Sequence, residues 1–122
     1  MTLRTIVVIE DDPILRQDTT DMLEAAGLSV VGFEDGDQAL DYLRHHRADV
    51  SGVFTDVRLA TETNGFEIAH LVTEAFPEIG VIVTSGQYTT RPTNLSEDVR
   101  FLPKPWLPLD IINAFINTVQ ED

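Results

Sequence analysis

The sequence predicts an α/β fold, a doubly wound five-stranded parallel sheet with helices on both faces. Three observations carry this. Short apolar runs rich in β-branched residues alternate with stretches of helical periodicity along the whole chain. The runs are continuous rather than alternating, as strands covered on both faces are. Acids, hydroxyls and a lysine stand where the runs end, at the carboxyl edge where such sheets keep their sites.

Ile6 to Ile9 is the first strand, and Glu10, Asp11 and Asp12 follow it at once. Asp12 suits the N-cap of the next helix better than metal ligation, and Pro13 falls in the first turn, where its missing N–H costs nothing. Ile14, Leu15, Met22, Leu23 and Ala26 recur near helical spacing until Gly27 ends the helix. Leu28 to Phe33 is the second strand, and Asp35-Gly36-Asp37 turns the chain into a helix with Ala39, Leu40 and Leu43 on one face. Val50 to Thr55 makes the third strand, which stops at Asp56. A polar loop from Thr61 to Gly65 leads to a helix carrying Phe66, Ile68, Ala69, Leu71, Val72 and Ala75, stopped by Pro77.

Val81 to Thr84 is the fourth strand. From Tyr88 to Asp98, Pro92 and a crowd of Thr, Asn and Ser oppose a regular helix, so that segment should be short, irregular or mobile. Val99 to Leu102 is a fifth strand before Pro103-Lys104-Pro105, and Leu109, Ile111, Ile112, Phe115, Ile116 and Val119 form an amphipathic terminal helix. Strands joined this way through right-handed crossovers are parallel. Neither a repeat nor a linker interrupts the pattern, and residues 1–122 read as one domain with no DNA-binding output domain.

Charge narrows the partners. With 21 acidic against 8 basic residues, the formal charge of -13 repels phosphate backbones and anionic lipid headgroups, so direct nucleic-acid or membrane binding is disfavoured. The absence of cysteine removes disulfides and thiolate metal sites and fits a cytoplasmic protein. The apolar run near the start is too short for a membrane span and lacks a signal-peptide cleavage region.

Glu10, Asp11 and Asp56 lie at the ends of the first and third strands, where the fold gathers side chains into one cleft. Like charges so placed resist joint ionisation, and a hard divalent cation with oxygen ligands, Mg²⁺ or Mn²⁺, relieves the conflict. Thr84 ends the fourth strand and Lys104 the fifth, adding a hydroxyl and a fixed cation. Phosphoryl transfer asks a protein for little beyond positioning and charge neutralisation, which this set supplies, with Asp56 as nucleophile. Ser85 offers a rival hydroxyl, but period-two alternation lets only one of the two face the cleft. His45 and His46 sit on a polar helix end, at a spacing that suggests no metal site.

Val8-Ile9-Glu10-Asp11-Asp12-Pro13, Thr55-Asp56, Val83-Thr84-Ser85-Gly86 and Leu102-Pro103-Lys104-Pro105 together resemble the receiver domains of two-component response regulators. The resemblance covers nearly the whole chain and implies a flavodoxin-like (βα)5 sheet in the order 2-1-3-4-5. It implies Glu10 and Asp11 as the acidic pair, Asp56 as phospho-acceptor and metal ligand, and the Arg58 backbone carbonyl as a further ligand to Mg²⁺. It implies Thr84 and Lys104 on the phosphoryl oxygens, and Phe101 as the aromatic rotamer switch that follows Thr84. The donor would be a histidine kinase or histidine phosphotransfer protein, the output a changed surface read by a downstream protein, and the chain a monomer or weak homodimer. It would catalyse only its own phosphorylation and dephosphorylation.

Two positions depart from the family pattern. Ala60 stands where a proline is common, four residues past the acceptor, and Gly65 comes nine residues past it rather than eight, a loop longer by one. Two other functions compete. An aspartyl-phosphate phosphatase or phosphotransferase usually carries a second acid two residues past its nucleophile, where this chain has Arg58. A phosphate-independent interaction module would not need the intact set of Glu10, Asp11, Asp56, Thr84 and Lys104. Trp106 and Leu107 could cover the base of the terminal helix or form a partner surface, and the sequence alone does not choose.

Overall fold

A computed structural model describes residues 5–59, 64–86, 93 and 95–119. The apolar runs form β1 (Thr5–Ile9), β2 (Ser29–Phe33), β3 (Val50–Asp56), β4 (Gly80–Ser85) and β5 (Val99–Pro103). Between and after them lie α1 (Pro13–Ala25), α2 (Gly36–His46), a 3-10 turn (Arg47–Asp49), α3 (Gly65–Ala75) and α4 (Pro108–Val119). The strands pair parallel in the order β2-β1-β3-β4-β5, as the sequence implied. Burial explains the order. Every residue of β4 and all of β3 except Asp56 are buried, so these strands take the centre, whereas the half-exposed β2 takes an edge.

Alternation along each strand divides the core in two. Val7, Ile9, Val53, Val81 and Val83 face Ala39, Leu43, Ile68 and Val72 of α2 and α3. Ile6, Val8, Phe54 and Ile82 face Leu23 of α1 and Ile111 and Phe115 of α4. Gly52 is where the second layer comes closest, because a Cβ there would overlap the Phe115 ring.

Short polar side chains start the helices. Asp12 accepts from the N–H groups of Ile14 (2.9 Å) and Leu15 (3.2 Å), Asp35 from that of Gln38 (2.8 Å), and Asn64 from that of Glu67 (3.0 Å). At the end of α1, Gly27 adopts φ 94°, its N–H donates to the Glu24 carbonyl (2.9 Å), and the Leu28 N–H donates to that of Leu23 (3.1 Å). This is a Schellman cap with Leu23 and Leu28 in its apolar contact.

Boundaries differ from the sequence reading by a residue at several ends. β3 runs on to include Asp56, β4 gains Gly80 and Ser85, and β2 starts at Ser29 because Leu28 is spent on the cap. The irregular helix expected from Tyr88 to Asp98 falls largely outside the described residues. Of it, Leu95 to Asp98 form a turn into β5, with Ser96 Oγ accepting from the Asp98 N–H (3.2 Å). Among the described residues no helix is long and apolar enough to cross a membrane.

Because only glycine takes the left-handed cap without strain, Gly27→Ala should destabilise the protein by about 1–2 kcal/mol. Nothing lies within 4 Å of a Cβ built there, so the cost is conformational alone, and urea unfolding would show an unchanged slope with a lowered midpoint.

Candidate functional site

Register brings the site together. Ile9 pairs with Thr55, Asp56 with Thr84 and Ser85 with Pro103, so β1, β3, β4 and β5 end within a residue or so of one another. The ladder continues just past the strands: the N–H groups of Glu10, Val57 and Lys104 donate to the carbonyls of Phe33 (3.0 Å), Thr84 (3.0 Å) and Ser85 (2.9 Å). The residues after the strands are therefore held almost as firmly as the strands themselves.

Asp56 is at the centre. Its Oδ1 accepts from the Arg58 N–H (3.0 Å), and its Oδ2 accepts from the Lys104 ammonium (2.8 Å). The Asp56 side chain is 12% exposed and that of Lys104 34%, so the pair is only partly screened by water. A cleft of about 500 Å³ opens beside it, bordered by Glu10, Asp11, Asp12, Asp56, Arg58 and Lys104. The sequence placed Glu10, Asp11, Asp56 and Lys104 in one cleft, and they border one.

Glu10 carries the electrostatic cost. Burial pushes its carboxyl from 4.5 up to about 7; the Asp12 N–H on Oε2 (3.2 Å) opposes the shift, while Asp11 and Asp56 add to it. The Arg16 guanidinium donates to the Glu10 carbonyl (2.8 Å) and ties α1 to this edge.

A second cavity, of about 300 Å³, lies on the α1 side of the same strands. Leu15, Met22, Phe54 and Thr84 line it, with Pro105 and Trp106 on the wall that follows Lys104, and Glu10, Asp56 and Lys104 border it as they border the acidic cleft. Thr84, 3% exposed, accepts a hydrogen bond from the Trp106 indole N–H (2.9 Å), and the indole meets Phe54 edge-on with centroids 5.4 Å apart. Thr84 borders this cavity together with Glu10, Asp56 and Lys104, as the sequence placed it, whereas Ser85, although buried, borders neither cavity.

The remaining sequence candidates are placed as follows. Phe101 is half-buried on β5 opposite Val83, and alternation sets it on the other face of the sheet from Thr84. Arg58 is exposed at the rim of the cleft. Asp12 is a cap, as expected. His45 Nδ1 bonds the Asp41 carbonyl (2.9 Å) and His46 stacks on Tyr42, both on α2 away from the cleft. Sequence reasoning left Trp106 open between two roles and did not foresee Gly65 as a contact: a Cβ at Gly65 would overlap the Asp56 carbonyl, and its N–H donates to the Val57 carbonyl (2.8 Å). The aromatic following Lys104-Pro105 was the available signal for Trp106.

A hard divalent cation fits this donor set in its chemistry. Burial, to which Asp11 and Asp56 add, raises the Glu10 carboxyl, and such a cation would favour the charged form of all three. The fit is not yet a ligand geometry. Among the described residues no three carboxylate or imidazole side chains converge on one point; Lys104 takes one oxygen of Asp56, and Glu10 turns an oxygen to the Asp12 N–H. The expected three-carboxylate cluster is thus one cleft with its charge partly neutralised from within.

Fold and site together define a doubly wound α/β protein with carboxylates and a lysine at the ends of its central strands. Residues 6–116 match the response regulator receiver domain family, and the chain belongs to that family. It is 29% identical over 114 residues to the response regulator receiver protein CpdR of Brucella abortus (strain 2308), covering 91% of this chain and 92% of that one. A response regulator receiver protein from Sinorhizobium medicae WSM419 superposes with a TM-score of 0.86 at 26% identity, over 98% of this chain and 96% of that chain. The receiver domain of the hybrid histidine kinase CckA has the same fold, with a TM-score of 0.76 at 22% identity over 95% and 99% of the two chains.

The Glu10 shift predicts a pH dependence in metal-free protein. Between 4.5 and about 7 the folded chain holds a proton on Glu10 that the unfolded chain has lost, so stability falls as pH rises through that window and the contribution levels off above it. Urea midpoints measured across this range in chelator should decline for wild type and decline less for Glu10→Gln.

Proposed function

We propose that this receiver domain accepts a phosphoryl group from a phosphohistidine onto Asp56 and signals through the surface this alters. The observation that carries the reading is the Asp56 carboxylate held between the Arg58 N–H and the Lys104 ammonium at the mouth of an acidic cleft. These contacts fix the carboxylate's orientation, so little reorganisation precedes attack. An Asp56 oxygen bonds to phosphorus as the phosphorus–nitrogen bond of the donor breaks. The electron pair returns to the imidazole, which takes up a proton, and an acyl phosphate remains. Lys104, already at Asp56, then faces the charge on the transferred phosphoryl oxygens.

Glu10, Asp11, Asp56 and the Arg58 carbonyl would hold Mg²⁺, which supplies further neutralisation of the phosphoryl oxygens. Thr84 would donate to one of those oxygens, and Phe101 would follow it as the switch. The donor is a histidine kinase or phosphotransfer protein, and the excess of negative charge directs the output to a protein rather than to nucleic acid. The chain acts as a relay rather than a turnover enzyme: Arg58 occupies the position where an aspartyl-phosphate phosphatase usually has its general acid.

Intact-mass spectrometry with a small-molecule phosphodonor and Mg²⁺ tests this. Wild type should gain one phosphoryl adduct, Asp56→Asn none, and Lys104→Gln should gain it at least roughly tenfold more slowly. An adduct surviving in Asp56→Asn would place the acceptor elsewhere, and steady hydrolysis of an aryl phosphate would favour the phosphatase.

A further inference from the structure

We infer that Trp106 is a positioning residue for Thr84: its indole N–H holds the Thr84 hydroxyl on the α1 side of the sheet and opposes that hydroxyl's turn toward a phosphoryl group on Asp56. The inference rests on the phospho-acceptor reading above and concerns what restrains it.

The chemistry of the two groups sets the direction. An indole N–H only donates, whereas a threonine hydroxyl has one O–H and two acceptor lone pairs. In the resting protein one of those lone pairs is committed, at 2.9 Å, to an indole that packs edge-on against Phe54 and against the core between the sheet, α1 and α4. Packing fixes the indole, so the hydroxyl is the movable partner. Thr84 and Trp106 share a mainly apolar cavity that Asp56 and Lys104 also line, so the hydroxyl is committed to the indole although Asp56 borders the same space.

Turning Thr84 toward a phosphoryl oxygen requires a change of χ1 in a β-branched residue that is 3% exposed. The Trp106 N–H is then left in a half-buried, mainly apolar wall without its acceptor, and an unmet donor there is costly. Trp106 therefore weights the resting conformation. Phe101 has no polar atom and lies on the opposite sheet face, so it offers Thr84 no equivalent bond. The link also leads outward: Trp106 is followed by Leu107, which is 68% exposed and whose N–H bonds the Asp110 carboxylate (2.8 Å) in the first turn of α4. The state of Thr84 is thereby tied to the start of that helix.

The chain contains one tryptophan, so its fluorescence reports on Trp106 alone. Beryllium fluoride with Mg²⁺ serves as the phosphoryl mimic, and its affinity is followed by fluorine NMR in wild type, Trp106→Phe, Thr84→Val and the double variant. Adding the mimic to wild type should shift the indole emission. Trp106→Phe should bind the mimic roughly tenfold more tightly, and that gain should vanish when Thr84 is already valine. Equal or weaker binding by Trp106→Phe overturns the inference, as does a gain that persists in the Thr84→Val background. Should Trp106→Phe not fold, the native indole decides: Thr84→Ser should keep the wild-type emission and Thr84→Val should lose it, and identical emission in the two overturns the inference. A wild type that takes neither mimic nor phosphoryl adduct sinks the phospho-acceptor reading and this inference with it. A wild type that takes the adduct while Trp106→Phe matches it in affinity overturns this inference alone.

Discussion

The site is organised around one electrostatic conflict, three carboxylates brought to the same edge of the sheet by two neighbouring parallel strands. Nothing local requires Glu10, Asp11 and Asp56 to meet; the pairing of β1 with β3, Ile9 opposite Thr55, forces it. Burial makes the conflict expensive, and Glu10 answers it by keeping its proton up to about pH 7. Lys104 answers it from the far side of the sheet, across β4, with an ammonium on Asp56 at 2.8 Å. A scaffold built only for stability would place apolar groups here, since partly buried charges seldom add to stability. Their presence beside a cleft of about 500 Å³ is what makes this edge the candidate site.

Much of this was legible in the sequence because the signals are short-range and redundant. Continuous β-branched runs told of strands covered on both sides, and Asp12 with Pro13 told of a helix start; each is decided by a few adjacent residues. Strand-end positions for Glu10, Asp56, Thr84 and Lys104 follow from the same runs, so their sharing an edge was readable once the topology was. Exact ends were less so. Leu28 resembles the first residue of β2 in every local respect, yet its N–H is used to cap α1.

Trp106 shows the other limit. Its neighbours in the chain, Pro105 and Leu107, do not determine which way an indole turns. Its partners, Phe54 on β3 and Thr84 on β4, are remote in sequence and adjacent only after the sheet has formed. A single large side chain with one polar atom thus carries information that periodicity cannot hold, and the choice between core cover and partner surface had to wait for the fold. The indole takes an intermediate course, half-buried against the core while the next residue stands in solvent.

Loop length raises a sharper question, because a connection one residue longer than the family pattern joins β3 to α3. A longer loop adds little entropic cost, but it could let Asp56 drift relative to the helix that follows. Gly65 prevents this. Its N–H bonds the Val57 carbonyl at 2.8 Å, and its lack of a Cβ lets the first residue of α3 rest directly on the Asp56 peptide. At the other end Val57 is fastened to β4 through the Thr84 carbonyl at 3.0 Å, so the peptide that follows Asp56 is gripped from both sides. In this protein the glycine's place in the sequence has shifted by one, yet it still rests on the Asp56 backbone and bonds the Val57 carbonyl, so contact rather than spacing holds that peptide.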